Sequence, residues 1–117
     1  MPRGWLRLPA SLVAMNDDEI LAEAVRRIRQ QFSPLQIILF GSRARGDAGT
    51  DSDFDLMVLL PTCSDVRGTV ADIRLALRRL PAAFDIVVQT TADWDRWRAV
   101  PMALQHTISD EGRVLYG

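Results

Sequence analysis

From Asn16 to Phe32 the apolar residues Ile20, Leu21, Ala24, Val25, Ile28 and Phe32 recur at spacings that fall on one face of a helix. Asn16 followed by Glu19 has the pattern of a capping box, and Asp17 and Asp18 suit the positive end of a helix dipole. Arg26, Arg27 and Arg29 lie largely off the apolar stripe and read as a solvated face. Ser33-Pro34 stops the helix. The pattern then changes to two short apolar runs, Leu35 to Phe40 and Leu56 to Leu60, with the length and β-branched content of strands. Asp65 to Leu80 returns to helical spacing through Val66, Val70, Ile73, Leu77 and Leu80, and Pro81 ends it. Ala83 to Thr90 reads as a third strand. The remainder, Thr91 to Gly117, reads as helical: a short helix around Asp93 to Arg98, then Pro101 to Asp110 closed by Glu111-Gly112. Helices and strands in this order predict a small α/β (α+β) domain.

Residues 16–117 form the expected domain, and Met1 to Met15 an N-terminal tail broken by Pro2, Gly4 and Pro9, with Met15 a candidate initiator. A chain of 117 residues with 48% hydrophobic content supplies one core. Its formal net charge of −1 argues against strong nucleic-acid binding, which depends on neutralising phosphates. Cys63 is the only cysteine, so no intramolecular disulfide forms, and this suits the cytoplasm. No apolar run reaches the roughly 18 residues of a membrane span, and no signal peptide is read.

The chemistry concentrates between the first two strands, in Gly41-Ser42-Arg43-Ala44-Arg45-Gly46-Asp47-Ala48-Gly49-Thr50-Asp51-Ser52-Asp53-Phe54-Asp55-Leu56. Asp53 and Asp55 are two apart at the start of a strand, so their carboxylates leave it on the same side and Phe54 on the other. Two such carboxylates repel unless a proton or cation lies between them, and Mg²⁺ is commonly held by one or two carboxylates plus substrate phosphates. Gly41 lets the chain turn sharply and lets a ligand approach. Ser42 can face an anion through its hydroxyl and backbone N–H, and Arg43 and Arg45 add positive charge. A P-loop is excluded, because it requires Gly-Lys-Ser/Thr and the chain has no lysine. Asp47 and Asp51 read as ordinary solvated loop residues. Asp85 is unusual in a strand; if that strand lies beside the second one, Asp85 can face the same side as Asp53 and Asp55.

Gly41-Ser42, ten intervening residues and then Asp53-Phe54-Asp55 resembles the signature of the DNA polymerase β-like nucleotidyltransferase superfamily. The fuller string and the small size resemble its minimal branch, the MNT domains that act as antitoxins in HEPN/MNT toxin–antitoxin pairs. The resemblance implies a small mixed β-sheet with helices packed on one face. It implies transfer of NMP, with ATP the expected donor and two Mg²⁺ ions the expected cofactors. Asp53 and Asp55 would bridge the ions, and Asp85 would hold the nucleophile-side ion and accept the hydroxyl proton. Gly41, Ser42, Arg43 and Arg45 would bind the nucleotide. The implied partner is a cognate HEPN ribonuclease toxin, modified on a tyrosine hydroxyl. Two alternatives remain at this level: an antitoxin that neutralises its partner by binding alone, and a small-molecule transferase of the aminoglycoside-modifying kind, whose usual added helical domain is missing from this chain.

Two further features read mainly as structural. Trp94 and Trp97 are three apart on one helix face, suited to packing on the sheet or, alternatively, to a partner surface. His106 has no Cys, Asp or His at metal-ligand spacing and reads as a surface or satisfied helix residue.

Overall fold

The computed structural model describes residues 14–46 and 53–117, so the expected tail is outside the described residues except for Ala14 and Met15, as are Asp47 and Asp51. The described chain runs α1 (Asp17–Phe32), β1 (Gln36–Phe40), α2 (Ser42–Arg45), β2 (Phe54–Leu60), α3 (Val66–Ala76), β3 (Phe84–Thr90), α4 (Thr91–Trp97), α5 (Leu104–Glu111) and β4 (Arg113–Tyr116). The strands form one mixed sheet in the order β3-β2-β1-β4. β1 pairs antiparallel with β2 and with β4, whereas β2 and β3 are parallel and joined through α3. A parallel pair needs such a crossover, because the chain must return to the end of the sheet from which it started.

The local signals act as their chemistry dictates. The Asn16 side chain accepts from the Glu19 N–H at 2.9 Å while the Glu19 carboxylate accepts from the Asn16 N–H at 3.0 Å, completing the capping box. Ser33 ends α1 in the left-handed conformation, φ 48°. Asp65 caps α3, its carboxylate accepting from the Gly68 N–H at 3.0 Å.

Alternation along the strands divides the apolar side chains between two faces. On the first, Phe54, Leu56, Val58 and Leu60 of β2 pack with Ile37, Leu39, Ile86 and Val88 beneath α1 and α3, which contribute Ile20, Leu21, Ala24, Ile28 and Ile73. Met15 packs against this cluster. On the second face Ile38, Met57, Leu59, Trp94 and Ile108 form a smaller cluster under α4 and α5. Helices on one face alone therefore describe the larger core only. The difference comes from the C-terminal third, where Trp94 and Ile108 carry α4 and α5 onto the opposite side.

Two other expectations are corrected. Residues 113–116 are not the end of a helical segment but a fourth strand, β4, which adds to the β1 edge. The Arg26, Arg27 and Arg29 cluster is not simply a solvated face. Arg27 donates to the carbonyls of Ala76 and Arg78 at 3.1 and 3.0 Å, satisfying acceptors left over where α3 ends. Arg29 lies over the Tyr116 ring at 4.2 Å and ties α1 to β4. Glu23 holds Arg26 and Arg27 at 2.6 and 2.8 Å. Trp94 and Trp97 also part company: Trp94 is buried, whereas Trp97 is 42% exposed. His106 is a satisfied helix histidine, its Nδ1 2.9 Å from the Arg98 carbonyl.

Candidate active site

The parallel pairing of β2 and β3 decides the geometry of the acidic residues. Both strands begin at the same end of the sheet, and their register aligns Phe54 with Phe84 and Asp55 with Asp85. The two phenylalanines point into the main core and stack with centroids 5.6 Å apart. The next residue on each strand must then point to the other face, so Asp55 and Asp85 emerge side by side, on the face that carries Met57 and Leu59. Asp53 is two residues before Asp55, just ahead of the strand, and is exposed.

The carboxylates sense one another. The Asp55 carboxyl is pushed above its ordinary 3.8 by partial burial first, then by the negative charges of Asp85 and Asp53, with the Arg45 charge opposing them. Like charges in adjacent register on a sheet cost stability, so this end of the sheet is not optimised for folding alone. Asp85 meets Arg74 of α3, whose Nη2 is 3.4 Å from Oδ1. Among the described residues no group of three His, Cys, Asp or Glu side chains stands ready to hold one metal ion. The donor chemistry nevertheless fits a hard divalent cation: oxygen ligands only, on adjacent strands, with mutual repulsion that a cation relieves.

The turn after β1 packs directly against Asp55. Gly41 has φ +74°, a conformation L side chains rarely adopt, and a Cβ there would collide with the Asp55 carboxylate oxygen Oδ2. It is followed by the single turn of α2, in which Ala44 and Arg45 donate to the Gly41 carbonyl at 3.1 Å. Ser42 opens this turn and is half-buried. Gly41, Ser42 and Asp55 thus meet at one corner of the sheet.

The two arginines of the turn go to different places. Arg45 is felt at Asp55 and lies 3.6 Å from Glu111 of α5. Arg43 turns to the helical side: its guanidinium is 4.1 Å from the centre of the Phe54 ring and 2.7 Å from Asp17 at the start of α1. Since Phe54 and Asp55 leave β2 on opposite faces, that contact ties α2 to the main core on the side away from Asp55. Arg74 is the neighbour of the acidic group that the sequence did not point to. It belongs to a different element, eleven residues from Asp85, and its only visible mark is a position off the apolar stripe of its helix.

Asp53 and Asp85 are exposed and Asp55 is half-buried. Two concavities occur elsewhere, one of about 220 Å³ bounded by Asp17, Leu39, Arg43 and Phe54 on the helical side, and one of about 570 Å³ bounded by Phe32, Leu60, Cys63 and Thr69 at the far end of β2.

Comparison with known proteins gives consistent results. Residues 21–109 match the family model described as "Nucleotidyltransferase domain". A protein of Methanocaldococcus jannaschii, "Putative protein adenylyltransferase MJ0604", is 26% identical over 106 residues, covering 87% of this chain and all of that protein. A crystal structure of a toxin–antitoxin with AMP-PNP superposes with a TM-score of 0.64 at 22% identity, over 82% of this chain and 72% of that one. A mutant of the toxin–antitoxin MntA-HpeT superposes with a TM-score of 0.62 at 21% identity, over 88% and 74%.

Proposed function

The chain belongs to the nucleotidyltransferase domain family, and from that premise we propose that it transfers AMP from ATP to a hydroxyl of a protein, as the antitoxin of a toxin–antitoxin pair. The observation that carries this reading is the in-register pair Asp55 and Asp85 beside the Gly41-Ser42 turn. Protein adenylylation is supported by the name of the Methanocaldococcus relative, and the paired partner by the toxin–antitoxin neighbours. The exposure of Asp53 and Asp85 fits an acceptor carried by another macromolecule. We take that acceptor to be a tyrosine of a HEPN ribonuclease toxin, and the setting to be cytoplasmic.

In this reading Asp53, Asp55 and Asp85 would hold two Mg²⁺ ions. Bound there, magnesium supplies positive charge that lowers the pKa of the acceptor hydroxyl and stabilises departing pyrophosphate. The chain's own residues do the rest. Asp85 takes the hydroxyl proton as the acceptor oxygen bonds to the α-phosphorus. The bond from that phosphorus to the oxygen bridging to the β-phosphate breaks, and pyrophosphate leaves. Ser42 and the N–H groups opening α2 hold the outer phosphates, with Gly41 allowing their close approach. Arg45 adds charge next to them. Arg43 keeps α2 in position through Phe54 and Asp17, and contributes to nucleotide binding by holding that turn still.

The test is incubation of the protein with Mg²⁺, α-labelled ATP and the protein encoded beside it. Label should move to the partner, and Asp55→Asn should abolish the transfer. If toxicity is suppressed without any label transfer, the protein neutralises its partner by binding alone.

A further inference from the structure

The contact between Arg74 and Asp85 is long and exposed, like that of Arg45 with Glu111 and unlike that of Arg43 with Asp17. Arg43 and Asp17 meet at 2.7 Å, with the arginine side chain only 12% exposed. Arg74 and Asp85 meet through one long contact of 3.4 Å, with side chains 57% and 62% exposed. The route matters too. Arg74 belongs to α3, which covers the main core, whereas Asp85 emerges on the opposite face. Arg74 reaches it around β3, which is an edge of the sheet. Asp53, Asp55 and Asp85 share one corner but, among the described residues, do not form a ready three-ligand group.

We infer that Arg74 is a displaceable counter-ion for Asp85. In the cation-free protein it neutralises Asp85 and offsets the repulsion between Asp85 and Asp55. When a divalent cation enters between the two carboxylates, Asp85 exchanges Arg74 for the cation by a side-chain rotation that needs no movement of the sheet. Arg74 is thus a positioning residue that sets how much cation the site requires. The inference rests on the metal-dependent reading above. Exposed ion pairs are weak, so the competition changes cation affinity by about two- to fivefold and does not block binding.

The test is titration of Mn²⁺ into the full chain without nucleotide or partner, with free Mn²⁺ followed by its electron paramagnetic resonance signal. Arg74→Gln should bind Mn²⁺ about two- to fivefold more tightly than the native protein, and Arg74→Lys, which keeps the charge, should return most of the way to native affinity. Arg74 is exposed, so neither substitution disturbs the core. Native binding that Arg74→Gln leaves equal or weakens would overturn the counter-ion and leave the metal site standing. Native binding no stronger than that of Asp55→Asn would overturn the metal-dependent reading and the counter-ion together.

Discussion

Two carboxylates in this protein respond to their surroundings in opposite directions. Asp55 is raised above 3.8 by burial and by Asp85 and Asp53. A folded-state value above the unfolded one means that the protonated form suits the fold. Its contribution is fully present below the unfolded value and is lost as pH rises through the folded value. At neutral pH the ionised group is a burden on the cation-free protein. Asp55→Asn should melt at or above the native temperature at pH 7 in EDTA, and the advantage should shrink as pH falls through the raised folded value and be gone below 3.8. Transfer should fall on the order of 10³-fold or more in the same variant. A clear drop in melting temperature would make Asp55 a structural residue. Glu23 is the reverse case, lowered from 4.5 to about 2 by its hydrogen bond to Arg26 first, with Arg27 adding to it. Its stability is present above 4.5 and is lost as pH falls toward 2. Glu23→Gln should cost about 0.5–1 kcal/mol at pH 7, given a pair at the surface, and next to nothing near pH 2. Urea titrations at the two pH values measure this directly.

At the scale of elements, what could be read from the sequence was what is local. The capping box of Asn16 and Glu19, the stop at Ser33-Pro34 and the alternation around Asp53-Phe54-Asp55 each depend on neighbours within a few residues. The pairing of Asp55 with Asp85 depends on which strand lies beside which, and in what direction, so from the sequence it stood only as a condition. β4 escaped because Arg113 to Tyr116 is too short to display a period and follows directly on α5. The roles of Arg27, Arg29 and Arg74 escaped because long side chains reach elements far away in the chain. The short turn α2 shows how much depends on such contacts. Gly41→Ala should force the φ +74° residue into strain and push Asp55 aside. A loss of about 2–3 kcal/mol in stability and of nearly all transfer is expected; a variant with native activity would remove the turn from the site. The two arginines of α2 should separate in experiment. Arg43→Ala should lower stability by about 1–2 kcal/mol, since it loses both the Asp17 pair and the Phe54 ring. Arg45→Ala should raise the KM for ATP, because Arg45 is the charge felt at Asp55.

For the molecule as a whole, the sheet makes a division of labour. Its main face is closed by α1 and α3 over a continuous apolar core, and the smaller cluster around Trp94 anchors α4 and α5 on the other. The acidic corner belongs to neither cluster, so its repulsions do not interrupt the packing that holds the fold. Among the described residues Arg27 is engaged on α3, Arg29 on Tyr116 and Arg43 on Phe54. Among the described residues no helix is long and apolar enough to cross a membrane. Stability and ligand binding should therefore be linked through the acidic corner alone. A ligand that binds only the folded state stabilises it by about 2.7 kcal/mol at a hundred times its dissociation constant. In a domain of this size that is a rise of roughly 5–15 °C in melting temperature. Mg²⁺ with the non-hydrolysable analogue AMP-PNP should produce such a rise in the native protein and almost none in Asp55→Asn. Equal stabilisation of the two would mean that the nucleotide binds elsewhere on the molecule, the 220 Å³ cleft between Asp17 and Phe54 being the first place to look.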